Sequence, residues 1–207
     1  NLFLPDLSEG LEETLRGAAW PFERIEVENI NDPAVEEWLV ASPSKLVIYS
    51  GFGGQIVGKR LLDAGMPFLH MHGGWTPEYQ GSTTIYYTLL RERRCAVTAF
   101  LLSAEIDAGP IMAQRRYPPP PSGLDIDYIY DNALRADLLV DVLKEWGKLG
   151  AFPNVAGQHA DDGKMYYVIH PVLKHIALLS LGQESKGPAR ERKSKNPPST
   201  SERSETP

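Results

Sequence analysis

Apolar positions along this chain fall into two alternating rhythms, one of helical period and one of short unbroken runs. Leu7, Leu11 and Leu15 recur every four residues with Glu9, Glu12 and Glu13 between them, which predicts a short amphipathic helix opened by Ser8 as its cap. FERIEVENI (22–30) alternates as a strand does. Asp32-Pro33 then opens a helix over DPAVEEWLVA, with Val35, Trp38 and Leu39 on one face. KLVIYSGFGG (45–54) is a short, almost wholly apolar run that stops at glycines, the pattern of a strand buried on both faces. QIVGKRLLDAG (55–65) reads as a helix, MPFLHMH (66–72) as a second buried strand, STTIYYTLLRE (82–92) as a helix and CAVTAFLLS (95–103) as a strand. AEIDAGPIMAQRRY (104–117) is a loop leading into one more extended segment. Beyond Pro118–Pro121 comes a long helix (125–150), with Leu134, Leu138, Val142 and Leu143 in one stripe and Gly150 past its end, predicted to pack across the sheet. KMYYVIHPVLKHIALLSL (164–181) is strand-like as far as Pro171 and then helical. Strands alternating with helices are the mark of βαβ units, so the predicted class is a three-layer α/β sandwich with a mostly parallel sheet.

Composition narrows the function. The chain has 207 residues, 42% of them hydrophobic, enough for one domain with a sizeable core over residues 1–182. Residues 183–207 are almost free of apolar side chains and read as a disordered tail. A formal charge of −6, without a basic stripe, gives no footprint for nucleic acid. No window is apolar enough to span a bilayer and no signal peptide is recognisable, so the expectation is a soluble, cytoplasmic protein with no membrane partner. The single cysteine, Cys95, lies in an apolar run and is expected to be a buried thiol. GFGG at Gly51 has the spacing of neither a dinucleotide fingerprint nor a P-loop.

The chemistry gathers at FLHMHGGW (68–75). Side chains two apart on a strand share a face, so His70 and His72 would project together while Leu69 and Met71 enter the opposite layer. Gly73-Gly74 marks the strand's exit, where ligands bind in open parallel sheets. Asp107 lies in the loop after the next strand, and neighbouring parallel strands bring their exits close together. Two imidazoles and a carboxylate could perform acid–base work in acyl transfer, could hold a metal ion, or could simply cap loop carbonyls. Spacing leaves the three readings open.

FLHMHGGWTPEYQGSTTIYYTLL followed by AFLLSAEIDAGPIMAQ resembles the catalytic domain of the folate-dependent formyltransferases. In that family Asn-x-His-Pro-Ser and Pro-x-Tyr-Arg-Gly precede a later Asp-x-Gly-Pro-Ile. INDPAVEEWLVASPSKLVIYSGFGGQI resembles the preceding segment, so the likeness runs from about Pro5 to Tyr117. The resemblance implies a Rossmann-like fold, 10-formyltetrahydrofolate as formyl donor and a one-carbon transfer to an amine, with no metal. It implies His72 as the acid–base histidine and Asp107 as its carboxylate. His70 stands at the family's asparagine, where an imidazole N–H would donate to the developing oxyanion. The implied pteridine-binding residues are Phe52, Gln55, Ile56 and Val57, with Ala104, Glu105 and Ile106 beside Asp107. Gly73, Thr76 and Gln80 depart from the family's usual residues.

The acceptor this implies is the amine of a small molecule, with an amino sugar carried on a nucleotide preferred. The alternatives are a 10-formyltetrahydrofolate hydrolase and a non-catalytic homologue that keeps the fold. Family members open with a strand, a glycine turn and a helix, whereas this chain is expected to enter at its second strand, NLFLP. Its N-terminal βα unit is accordingly expected to be missing, and the oligomeric state is open.

Overall fold

A computed structural model describes residues 2–152, 156–158 and 163–182. The predicted tail lies outside the described residues. The first helix, α1, runs Leu11–Gly17 and buries nothing; Ser8 is not its cap but bonds the Asp6 carboxylate, and Gly10 takes the cap position. No strand forms over 22–30, although its residues alternate, because no neighbouring strand offers it a ladder. Helix α2 (Pro33–Ala41) matches its sequence signals: the Asp32 carboxylate accepts from the Ala34 N–H, and Val35 and Leu39 are buried. Trp38 lies outside that buried face, donating its indole N–H to Glu23.

Four strands form the principal sheet, in the order β1 (Val47–Tyr49), β2 (Phe68–His72), β4 (Cys95–Leu101) and β5 (Ile111–Tyr117). Residues of β3 (Gln80–Gly81) pair in parallel with β6 (Met165–Tyr166) in a separate two-stranded ladder. The α/β sandwich class holds, but the principal sheet is mixed. Strands β1 and β2 are parallel, whereas β2–β4 and β4–β5 are antiparallel. The connection from β4 to β5 spans only residues 102–110, too short for a crossover helix, so β5 can only return alongside β4. Strand β1 is an edge rather than a fully buried strand, with Ile48 46% exposed.

Both faces of this sheet are covered. Leu69, Met71, Val97 and Ala99 meet helices α4 (Thr84–Glu92), α5 (Asp131–Leu149) and α6 (Pro171–Leu179) through Ile85, Tyr86, Leu89, Leu134, Leu138, Val142 and Ala177. Cys95 is buried in this layer, and desolvation pushes its thiol up to about 12. On the other face Phe68 packs with Val35, Leu39, Val57 and Leu61, bringing in α2 and the one-turn helix α3 (Lys59–Leu62). The long helix is entered through a π-helical turn at Ile126–Tyr130 and ends at Gly150 in the left-handed conformation. Its apolar stripe alone buries Leu134, Leu138 and Val142, worth roughly 1.5–3 kcal/mol each in transfer free energy.

Candidate functional site

The alternation of β2 places its side chains as the sequence requires. Leu69 and Met71 enter the α4–α5 layer, while His70 and His72 share the opposite face with Phe100, at ring separations of 5.6 and 6.0 Å. Along the register His72 lies opposite Thr98, which lies opposite Gln114, so one polar row crosses three strands. That row pins the chain leaving β2. Thr98 donates to the Gly74 carbonyl at 2.7 Å and accepts from the Thr76 N–H at 3.1 Å, and Gln114 donates to the Thr76 carbonyl at 2.7 Å.

His72 is 5% exposed and is held at Nε2. Nε2 lies 2.8 Å from the Tyr79 carbonyl, which can only accept, so Nε2 carries the proton. Thr84 Oγ1, 3.2 Å away, donates its own proton to the Gly73 carbonyl and receives the same N–H. Nδ1 is therefore the basic nitrogen, and it faces Asp107 Oδ2 at 3.6 Å. Burial lowers the proton affinity of His72, with the Asp107 carboxylate opposing that shift. At neutral pH a lone pair thus confronts a carboxylate, and a proton arriving between them relieves the repulsion. His72 is therefore a neutral imidazole whose basic nitrogen is turned toward Asp107.

Asp107 reaches His72 by a route the sequence did not suggest. Because β4 runs antiparallel to β2, the exits of the two strands lie at opposite ends of the sheet. The 102–110 loop folds back so that Asp107 lies over the histidine, with Asp107 itself in the left-handed region at φ 53°. Its carboxylate accepts the Gly81 N–H at 2.6 Å, and its carbonyl accepts from Gln158 at 3.0 Å and Gln80 at 3.3 Å.

His70 takes a different role from the donor expected of it. Its Nδ1 lies 3.2 Å from the Tyr49 carbonyl, and burial drives its pKa down to about 4. The ring is neutral at pH 7, its one proton is spent on Tyr49, and Nε2 is an acceptor. A neutral imidazole in that tautomer cannot donate to an oxyanion.

The residues expected to bind a pteridine are not equivalent. Phe52 and Ile56 are 87% and 61% exposed on one loop, and Ala104, Glu105 and Ile106 are exposed on the other. Gln55 is partly buried, its carbonyl accepting from the Tyr49 hydroxyl at 3.2 Å. Val57 is a core residue beneath the loop, 6% exposed. Sequence reasoning missed Tyr79, Thr84 and Gln158 as supports: the first acts through its carbonyl, the second is an ordinary helix-start threonine, and the third lies in an unpatterned segment. The metal reading finds no support in the described residues, among which no group of three His, Cys, Asp or Glu could hold an ion. No described helix is long and apolar enough to cross a membrane.

Fold and site together define a three-layer α/β protein carrying a buried histidine and a half-buried aspartate side by side on one face of its sheet. No family model matches the chain. Its sequence is 32% identical over 119 residues to the methionyl-tRNA formyltransferase of Syntrophus aciditrophicus, covering 56% of this chain and 38% of that protein. It is 30% identical over 128 residues to the methionyl-tRNA formyltransferase of Chloroflexus aurantiacus, covering 60% and 41%. The chain thus spans about two fifths of the length of these curated relatives. A sugar N-formyltransferase from a Shewanella species shares the fold with a TM-score of 0.53 at 20% identity, covering 76% of this chain and 68% of that one. A methionyl-tRNA formyltransferase from Clostridium thermocellum does so with a TM-score of 0.53 at 13% identity, covering 72% and 60%. Over somewhat more than half of its residues the chain is thus similar in sequence to methionyl-tRNA formyltransferases, and it shares its fold with formyltransferases of known structure.

Proposed function

We propose that this chain carries the catalytic site of a formyltransferase that moves a formyl group from 10-formyltetrahydrofolate to the amine of a small molecule. The observation that carries this reading is the His72 Nδ1 to Asp107 Oδ2 approach of 3.6 Å, in a chain similar in sequence to methionyl-tRNA formyltransferases. His72 Nδ1, facing Asp107, accepts the proton lost as the amine nitrogen bonds to the formyl carbon. The Asp107 carboxylate stabilises the imidazolium that results, and the proton returns to the departing folate nitrogen as the tetrahedral intermediate collapses. The folate ring is assigned to the exposed loop around Phe52, Gln55 and Ile56 and to the 104–106 loop. Val57 supports the former from the core. The lack of a basic stripe weighs against a tRNA acceptor, and the preferred acceptor is a nucleotide-linked amino sugar, in keeping with the sugar N-formyltransferase whose fold this chain shares.

Hydrolysis of the same donor is a second reading. The neutral His70 presents an acceptor, which suits orienting a water better than polarising a formyl oxygen. Incubating the purified protein with 10-formyltetrahydrofolate, with and without a panel of nucleotide-linked amino sugars, tests both. An N-formylated product supports transfer, and formate released without an acceptor supports hydrolysis. His72→Ala and Asp107→Ala should each lower the rate by at least ~10²-fold; a folded variant of either kind with unchanged turnover would remove the assignment.

A further inference from the structure

Gln158 is 9% exposed, two residues beyond Ala156, which bridges Ile111. Its amide nitrogen donates to two carbonyls of one bend, Asp107 at 3.0 Å and Gly109 at 2.7 Å. Its Oε1 is buried with no partner among the described residues. Both hydrogen bonds go to groups that can only accept, so the amide cannot be turned round to satisfy the oxygen instead. A buried orphan acceptor is costly, and an apolar side chain of the same shape would avoid it. What keeps a glutamine there is the work of its two N–H groups.

The bend they hold is the one on which the site depends. Asp107 is a non-glycine residue at φ 53°, a conformation that persists only when its surroundings fix it. Its backbone carbonyl receives Gln158 and Gln80, and its carboxylate receives the Gly81 N–H. Gly109, the other end of the clamp, is held equally tightly, since a Cβ there would come within 1.7 Å of the Leu101 carbonyl.

We propose that Gln158 is a positioning residue of the reaction: its amide clamps the Asp107–Gly109 bend and so holds the Asp107 carboxylate against His72. The consequence for turnover rests on the formyl-transfer reading, whereas the clamp itself does not. A segment far along the chain, beyond the long helix, thereby becomes part of the catalytic apparatus without touching substrate.

The test compares Gln158→Leu with Gln158→Met, both of which remove the two donors without adding a charge beside His72. Nitrogen-15 spectra of labelled histidine, assigned with His70 and His72 variants, report the pair directly and need no activity. Asp107, Arg135 and Asp131, with the neighbouring His70 ring, are the groups whose fields reach His72, and of these only Asp107 is held by Gln158. The expected result is a displaced His72 Nδ1 resonance that titrates at lower pH in both variants, as the carboxylate recedes. With 10-formyltetrahydrofolate and a nucleotide-linked amino sugar, turnover should fall by roughly 10- to 100-fold while KM for the folate is unchanged. A folded variant with an unaltered His72 resonance would overturn the proposal, as would failure of both variants to fold, which would make Gln158 a stability residue. A wild-type chain inactive with these substrates would count against formyl transfer and leave the spectroscopic result to judge the clamp.

Discussion

Adding one methyl group at Gly74 should disable the site from beneath. A Cβ built there lies 2.7 Å from Thr84 Oγ1, 2.8 Å from His72 Nε2 and 2.9 Å from the Tyr79 carbonyl oxygen. All three are closer than real Cβ atoms come to their neighbours, and one is backbone. The Gly74 backbone cannot easily retreat, because its carbonyl is bonded to Thr98 and its N–H to the His72 carbonyl at 2.9 Å. The strain therefore falls on the His72 ring and on the 2.8 Å bond that fixes its tautomer. Breaking that bond leaves the Tyr79 carbonyl buried without its donor, a cost of about 1–3 kcal/mol. For a chain of this size that corresponds to a fall in Tm of roughly 3–9 °C. Displacing Nδ1 relative to Asp107 by about 1 Å should also cost ~10²-fold in turnover. Calorimetry and a formyl-transfer assay on Gly74→Ala measure the two effects separately. An alanine variant with the wild-type Tm and rate would refute the tautomer assignment and the role of this close approach.

His70→Asn exchanges an imidazole whose proton is committed to Tyr49 for an amide with two N–H groups, so formyl transfer should rise, by up to ~10² for one oxyanion donor; an unchanged or lower rate in an assay at pH 7 would sink that account. Stability should also depend on pH through this ring. Its folded pKa of about 4 lies below the ordinary 6.5, so between these values the unfolded chain binds the proton more readily. The contribution is complete above pH 6.5 and is lost as pH falls toward 4, and His72 acts in the same direction. Urea unfolding at a series of pH values should show that decline, shallower in His70→Asn; parallel profiles for the two proteins would exclude His70 as its source.

What the sequence made legible was local. The strand period put His70 and His72 on one face, and the Asp32-Pro33 signal, the Leu134–Val142 stripe and Gly150 located two helices, because in each case near neighbours decide the outcome. What it hid was set by distant partners. Residues 22–30 alternate correctly yet have nothing to pair with, and Ile48 belongs to an apolar run yet lies on an edge. Asp107 was paired with His72 on the assumption of parallel strands; the pair exists because a loop folds back across an antiparallel one. Its support by Gln158 joins residues 51 positions apart through a backbone carbonyl, a contact that leaves no pattern in the sequence.

Two departures from the family pattern bear on whether the site is kept or decaying. A Cβ at Gly73 would lie 2.5 Å from Asp131 Oδ1 and 2.8 Å from Arg135 Nη2. The proline usual in the family would collide with this ion pair, whose arginine also donates to the Met71 carbonyl at 2.7 Å. Glycine is thus matched to the charged start of α5. At position 80, where arginine is common, Gln80 directs its amide at the Asp107 carbonyl and shares with Gln158 the task of holding that bend. A site drifting free of function would be expected to lose such matched contacts first, since each constrains a polar group without filling the core. Here both substitutions are accommodated by partners close to His72 and Asp107, the contacts that the proposed site would need.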